Sequence, residues 1–421
     1  MNEIKYSYDG SLAQIRERGL LQNLKRFQII KIVRENKLIS RRELSKRTHL
    51  DAPTVSRVTK ELIRENILEE VGKDSSTSLG RNPIWLTLKK SSRFLIGLDI
   101  GAYETKAVIT NLESEVICQH SDLTYRGRDE KAMLAFIVEI INSLLSSGSI
   151  AQNDVEGIGI AVSGVIDNEK GKVVVSCNLP TIQGIKLTDY IQDYFAIPTE
   201  ICNGGGVWAL RECERCRNQR KDPDFLVLHA GYGIALSHLI DGRAVIGRSA
   251  KAKIDFGHVT YNPKGPACKC GSIGCLESFT GGWAIARDAQ QSPSDLLLSL
   301  VDGKTEAIEA KDVFEAALRG DNNSLMIIVR AGEILGETAA RFIEFFNPRQ
   351  VILSGSLVTN SLLYHDAIMS AISRCMPEDR FSSVDICVTS LDKFAGAVGV
   401  TQLLSHDILY APIKDMVRVG W

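Results

Sequence analysis

The stretch that most constrains this chain is a glycine- and proline-rich loop, GHVTYNPKGPACKCGSIGCLES, from Gly257 to Ser278, called here the cysteine loop. It holds one histidine and three cysteines within a short span: His258, Cys268, Cys270 and Cys275. Thiolate sulfur and imidazole nitrogen are the ligands that zinc prefers, and four protein ligands complete a closed tetrahedral site. The loop therefore predicts a structural zinc site.

Two other interpretations of the cysteine loop stay open. The cysteines could be ordinary loop residues, although three of the chain's ten fall within eight positions. They could also form a disulfide, but Cys268 and Cys270 are too close in sequence to bridge each other easily, and one thiol would be left over.

The sequence also indicates the cellular compartment in which the cysteine loop would be found. The N-terminus lacks the apolar core of a signal peptide, and no apolar run is expected to approach the length needed to cross a bilayer. We therefore expect a cytoplasmic protein without membrane contact. Thiols stay reduced there, and a cysteine cluster more often binds metal than forms a disulfide.

Length and charge indicate several domains with different partners. The 421 residues suggest two or three domains. Residues 1–93 hold 20 Lys and Arg against 11 Asp and Glu, a net of +9, whereas the rest holds 30 against 40, a net of −10. A basic head on an acidic body predicts that the head binds a polyanion.

The basic head contains signals for successive helices. LKRFQIIKIVREN, from Leu24 to Asn36, spaces its apolar residues as one face of a helix. Ser40 and Glu43 have the spacing of a capping box, which predicts a second helix that ends near His49.

Asp51 is the next candidate N-cap and begins a helix with the sequence APTVSRVTKELIREN. Its apolar residues Val55, Val58, Leu62 and Ile63 are predicted to share one face. Two short helices around a tight turn are typical of a helix-turn-helix whose second helix enters the major groove, with Arg57 at a guanine edge. The outward residues predicted to contact DNA are Thr54, Ser56, Arg57, Thr59 and Lys60.

The segments ILEEVG and NPIWLTL predict two strands of a wing, joined by KDSSTSLGR. At the return of this wing, Arg81 and Asn82 are predicted to contact phosphates or the minor groove. The alternative for the whole head is a small helical oligomerisation domain with a solvated polar face.

After Arg93 the chain changes to FLIGLDIGAYETKAVITNLESEVI, which predicts two apolar strands around a tight turn at Asp99-Ile100-Gly101. This is how the actin-like ATPase fold begins, with turn amides that hold phosphates. From Phe27 to the final helices the chain resembles the ROK family of repressors, open reading frames and sugar kinases. The motifs that carry the resemblance are the Gly-His and Cys-Leu-Glu around the cysteine loop, VEGIGIAVSGVIDNEKGKVVVSCNLP, TEICNGGGVWALRE, FLVLHAGYGIALSHLIDGRAVIG, VILSGSL and AGAVGVTQLL.

The resemblance implies an α/β protein in which an N-terminal winged helix-turn-helix is followed by a two-lobed, actin-like ATPase body of the ROK sugar-kinase type. The expected domains are residues 1–90 for the DNA-binding head, 93–203 with about 395–421 for the first lobe, and 204–394 for the second lobe with the cysteine loop. A cleft is expected between the lobes.

Several positions depart from the family's kinases. The general base of the kinases follows the residue matching Asn203, where this chain has Gly204, which has no side chain to accept a proton. Loss of a general base alone removes about two to four orders of magnitude in rate. The phosphate and nucleoside motifs are replaced by Gly101-Ala102-Tyr103-Glu104, Gly231-Tyr232-Gly233 and Ser354-Gly355-Ser356. We therefore expect no kinase activity.

The resemblance implies that part of a sugar pocket remains. The residues expected to face a sugar are Asn203, Asp255, His258 and Glu277, with Asn178 and Gly164 nearby. The resulting interpretation is a repressor of carbohydrate genes that binds double-stranded operator DNA as a homodimer or homotetramer and responds to a sugar or sugar derivative. The alternatives are an ATP-dependent sugar kinase with an appended DNA-binding head, and a DNA-binding protein without a small ligand.

Overall fold

The computed structural model of the chain describes residues 10–72, 84–124, 129–167, 170–218, 224–240, 243–244 and 256–410. Three predicted site residues, Arg81, Asn82 and Asp255, lie outside the described residues. Their predicted roles are taken up below as proposals.

The described part of the head consists of helices around a small sheet in which β3 pairs antiparallel with both β1 and β2. The first helix extends further toward the N-terminus than its apolar pattern predicted, and the two-residue strand β1 was not predicted. In chain order the elements are α1 (Gly10–Asn36), β1 (Ile39–Ser40), α2 (Arg41–Thr48), α3 (Ala52–Arg64), β2 (Leu68–Val71) and β3 (Trp85–Leu88).

The predicted helix caps of the head are present. The Ser40 hydroxyl accepts a hydrogen bond from the Glu43 amide at 3.2 Å, and α2 ends at His49 in the left-handed conformation. The Glu43 side chain pairs with Arg47 at 2.9 Å. Asp51 caps α3 by accepting from the Thr54 amide at 2.6 Å. These caps fix where α2 and α3 begin.

A five-stranded sheet with the order β10-β7-β4-β5-β6 forms the centre of the first half of the body. β4, β5 and β6 are antiparallel, while β7 and β10 run parallel to β4. The elements are β4 (Phe94–Ile100), β5 (Glu104–Asn111), β6 (Val116–Leu123), α4 (Glu130–Gly148), β7 (Val155–Val162), β8 (Val165–Asp167), β9 (Lys172–Val175), α5 (Leu187–Phe195) and β10 (Thr199–Asn203).

The second half repeats this plan, because its sheet has the order β13-β12-β11-β14-β15, with an antiparallel meander and two parallel strands. The elements are α6 (Gly204–Asn218), β11 (Phe225–Ala230), β12 (Ile234–Ile240), β13 (Arg243–Ala244), α7 (Glu277–Thr280), α8 (Gly282–Gln291), α9 (Asp295–Ser299), α10 (Ala310–Leu318), α11 (Asn322–Phe346), β14 (Gln350–Ser354), α12 (Ser356–Thr359), α13 (Leu362–Cys375), α14 (Glu378–Ser382) and β15 (Asp385–Val388). The last helix, α15 (Ala395–Tyr410), returns to the first sheet. Two sheets with the same strand order are expected for a two-lobed, actin-like body.

Helix α4 corrects one expectation from the sequence. Its 19 residues are long and apolar enough to span a membrane by length and composition, so the chain does contain an apolar run of that length. Half of its apolar window is buried inside the protein, where Met133, Ile137 and Ile141 belong to the core beneath the first sheet. A core helix meets the same criterion, and here the core accounts for its composition.

Helix α15 connects the centre of the body with the head. Its first half lies so close to β4 and β7 that a Cβ at Gly97 would stand 2.1 Å from the Ala397 carbonyl oxygen, and one at Gly159 would stand 2.1 Å from a Val400 methyl. Further along, Leu404 belongs to the same apolar cluster as Leu62 of α3. One helix therefore packs against both the central sheet and the core of the head.

Candidate functional site

A cleft of about 2570 Å³ is lined by residues of both halves of the body. Its walls include the first turn at Gly101–Glu104, the start of α6, the second turn at Gly231–Gly233 and the start of α7. All predicted effector residues that the structure describes line this cleft: Gly164, Asn178, Asn203, His258 and Glu277.

Glu277 is the most strongly fixed of these residues. Its side chain is buried, with the residue 3% exposed, and it accepts hydrogen bonds from the Ile234 amide at 2.9 Å and from Trp283 Nε1 at 3.0 Å. A Cβ at Gly233 would stand 2.5 Å from Glu277 Oε2 and 2.9 Å from Asn178 Nδ2. Glycine at this position keeps open the space that both polar groups face.

The side-chain amides of Asn203 and Asn178 differ in the hydrogen bonds that they make. Asn203 donates to the Gly164 carbonyl at 3.0 Å and accepts from the Gly205 amide at 3.1 Å. By contrast, Asn178 Oδ1 is buried with no hydrogen-bond partner among the described residues. A buried acceptor without a partner costs free energy, so this oxygen is suited to a ligand hydroxyl.

The backbone at Gly204 leaves room for a Cβ. The nearest atoms to a Cβ built there are 3.8 Å away, among them Asp99 Oδ1. Burial raises the pKa of Asp99, which accepts from Trp208 Nε1 at 3.3 Å. A carboxyl group at position 204 would therefore lie close to a second acid.

The cysteine loop brings its four candidate ligands together. The Nδ1 of His258 and the Sγ of Cys268 are 3.6 Å apart, the sulfurs of Cys270 and Cys275 are 3.6 Å apart, and all four ligand atoms lie within 4.8 Å of one another. Ligands at about 2.3 Å from a tetrahedral zinc are separated by about 3.8 Å. The cluster therefore has the dimensions of a tetrahedral metal site.

The backbone fixes this geometry before any metal binds. The Cys268 amide donates to the Ser272 carbonyl at 2.8 Å, and the Gly271 amide donates back to the Cys268 carbonyl at 3.0 Å. Gly274 has φ +72° and a Cβ there would overlap the Asn262 carbonyl oxygen. The turn between the second and third cysteines thus requires glycine.

The three thiols of the cluster would need a bound cation in order to ionise together. Burial raises the pKa of Cys275 to about 11 and also raises the pKa of Cys268. Burial acts in the same direction on Cys270, but hydrogen bonds from Ser272 and the neighbouring cysteines outweigh it and lower its pKa. Three thiolates form together only when a cation stabilises them.

The two ends of the cysteine loop are joined through the backbone. The Leu276 amide donates to the Val259 carbonyl at 2.9 Å. A Cβ at Gly257, the residue before His258, would stand 3.2 Å from Glu277 Oε2. The start of the loop therefore lies close to the Glu277 side chain, and both His258 and Glu277 line the cleft.

Sequence reasoning missed the aromatic and cationic group beside the cysteine loop. Lys269, between two of the cysteines, donates to the Tyr232 hydroxyl at 2.5 Å and lies 4.5 Å from the Tyr232 ring and 5.1 Å from the Trp283 ring. His229, which lines the cleft with its ring 5.2 Å from the Trp208 ring, was also missed, and no sequence signal marks it. The position of Lys269 within the cysteine motif was a signal that could have been followed.

On the head, Thr54, Ser56, Arg57 and Lys60 are at least partly exposed on α3. The prediction for Thr59 was wrong: it is fully buried, donates to the Val55 carbonyl at 2.8 Å and accepts from Arg41 at 3.0 Å. Because Thr59 follows Val55 by four residues, it lies on the inward face of the helix. Its hydroxyl stabilises the head rather than facing DNA.

Fold and site together define a winged helix-turn-helix joined to a two-lobed, actin-like body of the sugar-kinase type with a cysteine-rich loop whose four clustered side chains could hold a metal. Residues 95–407 match the ROK family, and residues 22–69 match a winged helix-turn-helix DNA-binding family. The chain belongs to the ROK family, and the predicted fold class is confirmed.

Similar proteins cover either nearly the whole chain or about three quarters of it. A xylose repressor of Caldicellulosiruptor bescii is 28% identical, over 93% of this chain and 98% of the relative. The structure of a ROK family transcriptional regulator, a homologue of the Escherichia coli MLC protein, has a TM-score of 0.72 at 22% identity and covers 94% of this chain and 99% of that one. A Streptomyces griseus ROK glucokinase bound to glucose and AMPPNP has a TM-score of 0.64 at 25% identity and covers 74% of this chain and 98% of its own.

Proposed function

We propose that the chain is a cytoplasmic transcriptional repressor of carbohydrate genes. It would bind double-stranded operator DNA through its winged helix-turn-helix and respond to a sugar or sugar derivative in the body cleft. The observation that carries the proposal is that one apolar cluster contains Leu62 of the recognition helix and Leu404 of α15, which packs against the sheet at the cleft. Xylose is the first sugar to test, because a full-length relative is a xylose repressor.

In this proposal the domains are those expected from the sequence: residues 1–90, then 93–203 with about 395–421, and 204–394. DNA would be contacted by Thr54, Ser56, Arg57 and Lys60, and by Arg81 and Asn82 on the wing. In the structure, Arg57 forms an exposed ion pair with Glu61 at 2.9 Å. Such a pair costs little free energy to break, so Arg57 could bind a guanine or a phosphate of DNA instead.

The effector would be held mainly by Glu277 and Asn178. Glu277 Oε2 and Asn178 Nδ2 face the space kept open by Gly233, and Asn178 Oδ1 has no hydrogen-bond partner among the described residues. Asn203 would contribute less, since its amide already bonds to the backbone of Gly164 and Gly205. We also assign Asp255 and His258 to this pocket.

The metal would be zinc, bound by His258, Cys268, Cys270 and Cys275. With four protein ligands it supplies no open position, so its role is to fix the loop that carries His258 and Glu277. Support comes from the ligand spacing, because all four ligand atoms lie within 4.8 Å of one another.

We propose that the body does not phosphorylate sugars. Gly204 provides no general base, and the turns that hold phosphates in the kinases carry Tyr103, Glu104 and Tyr232. A sugar kinase with a DNA-binding head is the second candidate, favoured by the similarity to the Streptomyces griseus glucokinase. Incubation with ATP and a panel of pentoses, hexoses and amino sugars separates the two, because turnover at ordinary kinase rates would exclude the first.

The repressor proposal is tested by two binding measurements on the full chain. Selection from random duplexes should yield a two-half-site sequence, as dimers of this motif bind half-sites about one helical turn apart. Its affinity should fall steeply with salt. Thermal unfolding with the sugar panel should then show stabilisation by one sugar or a small group of them. A chain that selects no sequence, or that no sugar stabilises, would not be this kind of repressor.

A further inference from the structure

The first turn of the body, where the actin-like fold holds phosphates, carries a carboxylate that is already bound by lysines. Glu104 Oε1 accepts from Lys393 Nζ at 2.7 Å, and Glu104 Oε2 lies 3.4 Å from Lys106 Nζ. Lys393 also donates to the Ser121 hydroxyl at 2.9 Å. Each carboxylate oxygen thus has its own ammonium group at the edge of the cleft.

The backbone explains why these groups converge. Glu104 and Lys106 are two residues apart on β5 and therefore point to the same face of the sheet. Ser121 stands opposite Lys106 on β6, and Lys393 reaches the same face from the segment that precedes α15. Three separate parts of the chain, with Lys393 289 residues from Glu104, meet at one carboxylate.

The electrostatics agree with an ionised, bound carboxylate. Burial acts to raise the pKa of Glu104, but Lys393, Lys106 and Ser121 outweigh it, and the pKa lies below its ordinary value. Glu104 is only 22% exposed and Lys106 only 19%, so solvent screens this pair less than a surface ion pair.

The neighbouring residue of the turn is engaged in a similar way. The Tyr103 hydroxyl accepts from Lys311 Nζ at 3.2 Å, and Lys311 belongs to α10 on the far side of the cleft. The Gly101 amide, which a phosphate would need, donates instead to the Glu104 carbonyl at 3.2 Å. Each group that could attract a phosphate here already has a partner within the chain.

We propose that Glu104 is a specificity-determining residue that acts as a tethered anion: it occupies a two-lysine site, formed by Lys106 and Lys393, that would otherwise bind a polyphosphate. Excluding nucleotides would leave the cleft to respond to sugar alone, whatever the ATP concentration. This inference rests on the proposed function, in which the cleft does not use nucleotides.

The experiment measures binding of inorganic tripolyphosphate and of ATP by calorimetry at low ionic strength. We compare the wild-type chain with Glu104→Gln, which removes the charge and keeps the shape. The control is Glu115→Gln, which removes a glutamate that pairs with Lys90 away from the cleft. Glu104→Gln should bind tripolyphosphate at least about tenfold more tightly than wild type, because the largely buried ammonium group of Lys106 and the exposed one of Lys393 lose their counter-charge. Glu115→Gln should match wild type.

A second change tests the site itself. Adding Lys393→Met to Glu104→Gln should return the affinity to the wild-type level. Should Glu104→Gln not fold, Glu104→Thr offers a small residue suited to a strand and should show the same gain. Binding of ATP as well as tripolyphosphate would mean that the nucleoside also fits, whereas binding of tripolyphosphate alone would limit the latent site to the phosphates.

The inference is overturned if folded Glu104 variants and the wild-type chain bind tripolyphosphate with the same affinity, whether that affinity is weak or strong. Either outcome leaves the proposed function intact, since operator binding and sugar response are measured separately on the wild-type chain. ATP turnover by the wild-type chain would instead overturn the proposed function.

Discussion

The guanidinium of Arg93 donates a hydrogen bond of 2.7 Å to the carbonyl oxygen of Glu65, the residue that ends the proposed recognition helix. Arg93 also lies 3.5 Å from the carboxylate of Glu156 at the start of β7. A single side chain between head and body thus contacts α3 on one side and the central sheet on the other. In the proposed function, this contact and the shared apolar cluster around Leu404 would be the route by which sugar binding in the cleft affects α3.

Replacing Arg93 should weaken the link without removing the DNA-binding face. We expect Arg93→Met to lower the free energy of unfolding by about 1 kcal/mol, since it removes one charged hydrogen bond and one partly exposed ion pair. Operator affinity without sugar should change little, whereas the change caused by sugar should shrink. Lys89→Met is the matched control, because Lys89 bonds to Asn66 within the head. An unchanged sugar response in Arg93→Met would exclude this side chain from the coupling.

The recognition helix offers a direct contrast between an outward and an inward residue. Arg57→Ala should weaken operator binding by about 1–3 kcal/mol, as expected for a lost base contact, and leave stability nearly unchanged. Thr59→Val should instead lower stability by about 1 kcal/mol, because the Arg41 donor loses its acceptor. Fluorescence anisotropy and urea unfolding measure the two effects. The reverse pattern would mean that the face of α3 is assigned wrongly.

Metal content tests the cysteine loop. The purified chain should contain one zinc ion, and Cys270→Ser should reduce zinc affinity more than about 100-fold, since even partners that only orient the ligands change affinity by 10–100-fold. The exposed Cys375 lies outside the cluster, so Cys375→Ser is the control. Elemental analysis and a chelator titration provide the readouts. Full zinc retention in Cys270→Ser would remove this residue from the ligand set.

The unpaired oxygen of Asn178 gives the cleanest test of the pocket. Asn178→Ala should reduce sugar affinity about tenfold or more, while stability changes by less than about 0.5 kcal/mol because this oxygen has no partner among the described residues. Asn360→Ala, on another part of the cleft wall, should bind the sugar as wild type does. Calorimetry measures both, and equal affinities would place the sugar elsewhere.

His229 predicts a pH dependence of stability. Burial, reinforced by Lys106, lowers its pKa from 6.5 to about 4, so it stays neutral in the folded chain where the unfolded chain binds a proton. Stability should therefore fall as pH drops from about 6.5 toward 4, by at most about 3 kcal/mol from this residue. His229→Leu should lose stability less steeply over that window. The free energy of unfolding is measured against pH by urea unfolding for the wild type and for His229→Leu. If it fell equally steeply in both, His229 would not be the source of the pH dependence.

The sequence predicted well whatever depends on local chemistry. The caps at Ser40 and Asp51, the wing strands, the first turn of the body and the four clustered ligands of the cysteine loop all follow from neighbours within a few residues. Strand β1 was missed because a two-residue strand has no periodicity, and Thr59 was misplaced because its polar character outweighed its helical position.

Contacts between distant residues could not be predicted in this way. Nothing near Glu104 indicates that Lys393 will neutralise it, and nothing near Lys269 indicates that Tyr232 and Trp283 will surround it. The free oxygen of Asn178 and the engaged amide of Asn203 likewise become distinct only in the folded chain. The sequence could not rank the candidate effector-binding residues, whereas the folded chain makes Glu277 and Asn178 the main candidates.

If sugar in the cleft changes DNA binding by the head, a titration with operator DNA will detect the coupling. Affinity of the full chain for its selected duplex is measured with and without a saturating concentration of the stabilising sugar, in the wild type and in Asn178→Ala. We expect a change of at least about fivefold in the wild type, the lower range of allosteric coupling. At the same sugar concentration Asn178→Ala should show a smaller change. Equal wild-type affinities with and without a sugar that demonstrably binds would contradict the coupling.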